Sequence, residues 1–364
     1  MKFSASREAL LEPLQAVIGV VERRQTMPIL ANLLLVVKGD RLTVTATDLE
    51  VELVAGVTVD AGEAGEITVP GRKLVDICRA LPEQARVSLS VKGERATVTA
   101  GRSRFSLTTL PAAEFPSVDD IGAQEALRVN QADARRLFEK THFSMAQQDV
   151  RYYLNGLLLE VDGKTLRGVA TDGHRLALCE VPLQKGGKSS QVIVPRKGVL
   201  ELQRLLGGEG ELVLGIGGNH VRAEIGDIRF TSKLIDGRFP EYSRVIPESE
   251  GPAIHGEKTT LRQAMQRTAI LSNEKYRGIR LELEAQKLVI QAHNPEQEEA
   301  EEEVEVSYSG EPLEIGFNVN YLLDALGAVD GDDVEIWLKD SNSSCLIGAP
   351  GDESCKYVVM PMRL

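Results

Sequence analysis

The chain has 364 residues, with 54 acidic against 42 basic side chains and a net charge of −12, which taken alone argues against a nucleic-acid partner. Its 42% hydrophobic content supports ordinary cores, but with only 4% aromatic residues the packing falls to Leu, Val, Ile and Ala. No stretch approaches a membrane span, the first ten residues lack the apolar core of a secretory signal, and the four cysteines show no Cys-x-x-Cys spacing. The expectation is a cytoplasmic protein with reduced, mostly buried thiols, no disulfide, no metal and no cofactor.

Met1–Ala5 alternates in polarity and predicts a short strand. From Ser6 to Val21, Ala9, Leu10, Leu14, Val17, Ile18 and Val21 recur at helical spacing, with Ser6 as N-cap and Pro13 a candidate kink. Asn32–Val37, Arg41–Thr47 and Glu50–Val59 are rich in Val, Leu and Thr and read as strands, with Lys38-Gly39-Asp40 as a tight turn. A second round follows: strand Glu66–Val69, helix Arg72–Leu81, then strands Arg86–Val91, Ala96–Ala100 and Arg104–Leu110. One third of the chain is thus two copies of strand-helix-strand-strand-strand, giving two helices and about eight strands.

The same signals recur at a domain-sized step. Ala46-Thr47-Asp48 returns 124 positions later as Ala170-Thr171-Asp172, and more weakly 122 further on as Ala292-His293-Asn294. Val69-Pro70 returns at Val194-Pro195 and, altered, at Phe317-Asn318. Asn32-Leu33-Leu34 is echoed by Asn155–Leu158 and Arg277-Gly278-Ile279, and Phe105 with Phe115-Pro116 by Phe230 with Phe239-Pro240. A period this long is a whole domain rather than a solenoid repeat. Three like α+β domains are expected at 1–122, 127–248 and 253–364, joined by Pro-rich linkers Pro111–Gly122 and Asp236–Pro252. Such sheets carry open edges, which can pair with the next domain and, at the two ends, with a second chain.

Charge is unevenly placed. The six candidate helices (6–24, 71–81, 131–147, 196–206, 258–277 and 318–329) together carry +8, leaving −20 for the rest. Basic helices and acidic strands give two electrostatic faces, one able to meet phosphates; solubility alone would also place Lys and Arg on helix surfaces. Twelve helices from two chains, side by side at about 9–10 Å, would trace a circle roughly 36 Å across and leave a hole near ~26 Å, enough for a duplex.

Specific stretches go further. Gln148–Gly156 (QDVRYYLNG), Ala170–Leu176 (ATDGHRL), Phe230–Pro240 (FTSKLIDGRFP), Leu271–Lys275 (LSNEK), Asn294–Glu299 (NPEQEE) and the ending Tyr357–Leu364 (YVVMPMRL) stand in one order along the chain. In these the whole chain closely resembles the bacterial β sliding clamp family, the processivity subunit of the replicative DNA polymerase (DNA polymerase III). The resemblance implies a DNA clamp fold of three similar domains, each with two helices packed on antiparallel sheets, the chain forming half of a closed ring. It implies a head-to-tail homodimer that slides on duplex DNA without sequence preference. An ATP-driven clamp loader would open it. Polymerases, repair and ligation proteins would dock through a shared peptide pocket, and the clamp itself would catalyse nothing.

By the same resemblance the pocket is lined by Leu154, Thr171, Gly173, His174, Arg175, Leu176, Pro240, Arg244 and Val245, and from the third domain by Asn318, Tyr321, Ser344, Val358, Met360, Pro361, Met362 and Arg363. Flexible, polarizable Met suits varied Leu and Phe anchors, and Arg175, Arg244 and Arg363 can hold polar groups. Met-Pro-Met at a C-terminus would otherwise be a frayed tail. Asn342 departs from the family pattern, which has a small apolar residue at that rim. DNA contacts are implied at Arg24, Arg72, Gln148, Tyr152 and Tyr153; the helix charges add Arg79, Arg196, Lys197 and Arg204. Ordinary strand packing is the plainer account of Tyr152-Tyr153. The dimer seam is expected to set Arg102, Arg104, Phe105 and Leu107 of one chain against Ile270 and Leu271 of the other. Glu298, Glu299, Glu301 and Glu302 join it, from a run with seven glutamates in ten residues.

Two other readings use the same residues. A monomeric peptide-binding scaffold would need the pocket and no ring. A hydrolase would pair Asp172 with His174, but no Ser or Cys elbow accompanies them, and His142, His220, His255 and His293 are scattered. Gly215-x-Gly217-Gly218 lacks the spacing of a dinucleotide loop and reads as a hairpin turn.

Overall fold

The computed structural model describes residues 1–22, 27–116 and 126–363. Arg24, part of the first linker and Leu364 lie outside the described residues. Six α-helices appear in it: α1 (Arg7–Val17), α2 (Gly71–Ala80), α3 (Gln131–Glu139), α4 (Arg196–Leu205), α5 (Lys258–Thr268) and α6 (Val319–Ala328). Each follows one strand and precedes three, so the strand-helix-strand-strand-strand unit occurs six times in chain order, with one extra short strand at Asp60–Glu63. Among the described residues no helix is long and apolar enough to cross a membrane.

Local chemistry sets the ends. The Ser6 hydroxyl accepts from Ala9 N at 3.2 Å and caps α1, which continues through buried Pro13 before tightening into a 3-10 turn at Ile18–Val20. The span 258–277 is not one helix: α5 stops at Thr268, a 3-10 turn covers Ala269–Leu271, and the Asn273 side chain caps a turn by accepting from Lys275 N and Tyr276 N. Lys275 and Arg277 therefore leave the helical charge count. In the same way 131–147 resolves into α3 and a separate 3-10 turn at His142–Ser144. Gly218 has φ +54° and turns the hairpin Glu211–Gly217 to His220–Ile225, so the last of the three glycines makes the expected turn, while Gly215 and Gly217 belong to the strand before it.

The described residues pack as two compact units, 1–132 with 197–234, and 133–196 with 235–364. In the first, a five-stranded antiparallel sheet runs from Asp60–Glu63 to an edge at Ser103–Thr108. Beside it in that unit is an eight-stranded sheet, in which Val51–Thr58 pairs antiparallel with Ile228–Lys233. In the second unit Arg175–Pro182 pairs with Cys355–Val359 inside another eight-stranded sheet, and a four-stranded sheet ends at the edge strand Glu299–Glu305. Both eight-stranded sheets join strands of consecutive sequence repeats, the edge-to-edge continuation expected of open-edged domains.

Aliphatic side chains fill these layers, and Tyr357, Phe138, Phe230 and Phe317 are among the largest fully buried side chains. Phe230 is fully buried, facing Ala223 on one side and Leu53 on the other. Phe230→Ala is expected to cost about 3–5 kcal/mol, read as a lowered midpoint of urea unfolding, because a cavity would open where two repeats share a sheet.

Candidate functional site

The site in the second unit grows from one turn. Asp172 accepts from the backbone N–H of His174 (2.9 Å) and Arg175 (3.1 Å), and Thr171 Oγ1 donates to Arg175 O at 2.6 Å. Gly173 sits at φ +89°, and a Cβ there would meet the Arg151 guanidinium at 2.9 Å. Only glycine allows both that backbone and that approach. Arg151 donates to Asp172 O (3.2 Å) and to both oxygens of Asp149, whose carboxyl is thereby held down at about 2. Asn155 closes the loop by exchanging hydrogen bonds with the Asp149 backbone.

This loop presents the residues expected at DNA. Gln148 has φ +56°, Val150 is 95% exposed and Tyr152 57% exposed. Tyr152 and Tyr153 lie in a 3-10 turn rather than a strand, their rings edge to face at 5.8 Å, with Tyr153 packed inward. The strand-packing account of this pair is thus replaced by one ring turned out and one turned in.

Beyond the turn, the strands carry an apolar floor. Leu154, Leu176, Val358, Leu346 and Phe239 form one buried cluster, with Tyr242, Ile246 and Trp337 against it. The Tyr242 hydroxyl donates to Glu160 Oε1 (2.9 Å) and accepts from Arg167 (3.0 Å). Burial, then the Glu160 contact, push that phenol up to about 12. It fastens the 3-10 turn Tyr242–Arg244, so exposed Pro240, Arg244 and Val245 stand on an anchored segment. On the other side Met360 N donates to His174 O and Met362 N to Gly316 O, both at 2.9 Å. The tail through Met360, Pro361, Met362 and Arg363 is therefore pinned rather than frayed. Asn318 caps α6, Ser344 is half-buried, and Asn342 is exposed with its N–H on Asp340.

Several expected roles change. Arg175 is not a free hand for a ligand: its guanidinium donates to Asp172 (3.0 Å), Asp324 (2.5 Å) and Phe143 O (2.7 Å) and lies over the Tyr321 ring at 4.5 Å. It is held in place itself, while Arg244 stays exposed and, among the described residues, pairs with neighbouring Glu241. The His174 ring stacks on Tyr321 instead of being oriented by Asp172, whose oxygens take the turn and Arg175; the acid-base pair of a hydrolase is not built. Phe239, a repeat marker in the sequence, packs in the buried cluster, and Asp324 holds the Arg175 guanidinium.

Of the added helical cations, Lys197 is paired with Glu22 (2.6 Å) and Asp48, and Arg204 donates to Glu201 (2.8 Å) and Ala16 O (2.6 Å). Arg196 reaches the carbonyls of His142 and Met145 at 3.4 Å each. Each of these three is therefore tied within its own chain, and a phosphate would have to share or replace those partners. Arg72 donates to Val21 O but is exposed, as is Arg79. At the expected seam, Leu107 is buried in its own sheet, Phe105 is half-buried, and Arg102 and Arg104 are exposed. Ile270 is 74% exposed and Leu271 half-buried. Glu302 is held by Arg267 (2.6 Å) and Glu298 by Asn294, whereas Glu299 stays exposed and Glu301 takes only the Gln291 amide among the hydrogen bonds described. Among the described residues no group of three or more His, Cys, Asp or Glu is placed to hold a metal.

Comparison with known proteins decides the family. The N-terminal, central and C-terminal domain models of the DNA polymerase III beta subunit match residues 1–119, 128–241 and 243–363 in turn. The chain belongs to the bacterial β sliding clamp family. It is 57% identical over 368 residues to the Beta sliding clamp of Pseudomonas putida KT2440 and 54% over 366 to that of Escherichia coli K12, each covering 100% of both chains. The solved sliding clamp of Pseudomonas aeruginosa bound to griselimycin superposes with TM-score 0.97 at 57% identity, covering 100% of both chains. The fold is thus the three-domain clamp fold, helices on antiparallel sheets with no closed barrel, and the family is a non-catalytic processivity factor of DNA replication.

Proposed function

We propose that the chain works as a head-to-tail homodimeric ring of six domains, bounded near 1–122, 127–248 and 253–364, that surrounds duplex DNA and tethers replication proteins to it. The observation that carries this is the fate of the sheet edges. Strands of consecutive repeats pair with each other, but Ser103–Thr108 of the first repeat and Glu299–Glu305 of the third remain edge strands. One edge carries Arg104 beside Arg102, the other a run of glutamates, and exposed Ile270 lies close to the second in contact with its sheet. Opposite charge on two open edges favours pairing between chains over aggregation. An isologous arrangement would match like with like; the head-to-tail one matches basic with acidic.

Arg24, Arg72, Gln148 and Tyr152 would contact the duplex, touching phosphates without reading bases, with the Tyr153 ring packed inward against that of Tyr152. The groove over Leu176 and Val358 would take short peptides with apolar anchors from polymerases, a clamp loader, and repair and ligation proteins. A soluble life in the cytoplasm beside the chromosome follows from that role.

Topological retention separates this from a monomeric scaffold. Clamp loaded on a nicked circular plasmid by a loader with ATP should co-elute with the circle in gel filtration, and be lost when a restriction enzyme makes the plasmid linear. Equal retention on both forms would defeat the ring.

A further inference from the structure

Cys179 and Cys355 are 176 positions apart in the chain, yet face each other on neighbouring antiparallel strands, Arg175–Pro182 and Cys355–Val359. In this ladder Met360 N donates to His174 O, and Glu180 N to Ser354 O. Hydrogen-bonded pairs alternate with non-bonded ones, so Cys179 and Cys355 form a non-hydrogen-bonded pair, with Cα atoms about 4.5 Å apart and side chains close. Disulfides span Cα separations of about 4.4–6.8 Å. The two sulfurs already stand 2.9 Å apart, within hydrogen-bond distance.

The surroundings are those of a reactive pair. The Arg136 guanidinium approaches Cys179 Sγ at 3.5 Å, and is itself placed by Asp330, Asp352 and the Ser354 hydroxyl, each at 3.1 Å. The Cys179 contact, with Arg136, draws the Cys355 thiol below its ordinary value, while the same contact and burial push Cys179 up. One sulfur is thus inclined to be thiolate and its neighbour to keep its proton. The other two cysteines differ: Cys78 and Cys345 are buried without a sulfur partner, and burial raises them to about 11 and about 12. Neither Cys179 nor Cys355 belongs to the groove or to the DNA contacts described above.

We propose that Cys179 and Cys355 are a two-electron redox site, at which a hydroperoxide closes a disulfide that fastens the C-terminal strand to its neighbour. The Cys355 thiolate attacks one peroxide oxygen, the O–O bond breaks, and the departing hydroxide takes up a proton, leaving a sulfenic acid on Cys355. Cys179 sulfur then attacks the Cys355 sulfur. The S–S bond forms, the S–O bond breaks, and hydroxide leaves with the Cys179 proton as water. Two thiols and one hydrogen peroxide give one disulfide and two waters. Cys355 is only 6% exposed, which suits a small peroxide better than a bulky oxidant. The same two strands carry Leu176 opposite Val358, so the bond would also steady the groove; that consequence rests on the function proposed above, whereas the disulfide does not.

The test is thiol mapping of the intact, full-length chain. After hydrogen peroxide and denaturing alkylation, two of the four thiols should be protected. A non-reducing peptide map should show one linked pair, Cys179 with Cys355, lighter by two hydrogens and released by dithiothreitol. Oxidation should also raise the melting temperature of the wild type and leave Cys179→Ser unmoved. Four alkylated thiols, a different linked pair, a bond between chains, or Cys355 oxidised while Cys179 stays free would each overturn the proposal. The wild-type map decides even if the serine variant folds poorly.

Discussion

Replacing Ile270 and Leu271 together by alanine is expected to convert a dimer into mostly monomer. Ile270 is among the more exposed large apolar side chains described, and it is the middle residue of the 3-10 turn Ala269–Leu271 directly after α5. A lone exposed aliphatic is unremarkable, but this one neighbours an open edge strand of acidic residues. Two buried apolar anchors at an interface centre are together worth about 4 kcal/mol, roughly three decades in the dimer dissociation constant. Light scattering at low micromolar concentration should then report one chain instead of two, with unchanged far-UV circular dichroism. Because Leu271 is half-buried, Ile270→Asp is the cleaner companion: it touches only the exposed side chain and places a charge in the seam. If both variants still elute as dimers, the seam lies elsewhere. Both should also lose retention on circular DNA, since closure rather than tight contact would hold the clamp there.

Ending the chain at Val359 is expected to abolish peptide binding while sparing the fold. The strand Cys355–Val359 and its ladder to Arg175–Pro182 remain, but two backbone ties, Met360 to His174 and Met362 to Gly316, are removed with the Met-Pro-Met wall. Affinity for a labelled short peptide with neighbouring Leu and Phe anchors should fall by ~100-fold or more, about 3 kcal/mol. Fluorescence anisotropy measures this, and the melting temperature controls for folding. Undiminished binding would move the pocket away from the tail. Asn342→Ala, at an exposed rim position bonded through its backbone to Asp340, should change the same affinity much less.

Much of this was legible from the residues because it is local or repeated. Ser6 caps α1, Gly218 turns a hairpin, and Asp172 organises its turn through contacts within three positions. Three copies of one pattern also announced the edge-to-edge sheets, since a repeated open-edged unit has few other ways to cover itself. What stayed hidden depends on distant partners. Arg175 finds Asp324 149 positions away, Lys197 finds Glu22 at 175, and Arg204 finds Ala16 at 188. A count of helix charges treats such cations as free, whereas Arg196, Lys197 and Arg204 each already hold partners within the chain. On the edge strand Ser103–Thr108 the alternation is local again: Leu107 turns inward, while Arg104 and Ser106 face out.

The shared sheets separate what was copied from what holds together. The sequence duplicates one module three times, but the compact bodies cut the middle copy in two, 133–196 going with one and 197–234 with the other. Cut out alone, the central module would bare two raw rows of backbone donors and acceptors, at Ile228–Lys233 and Arg175–Pro182. Inheritance and cohesion therefore follow different seams in this molecule, and its modules cannot be shuffled like beads.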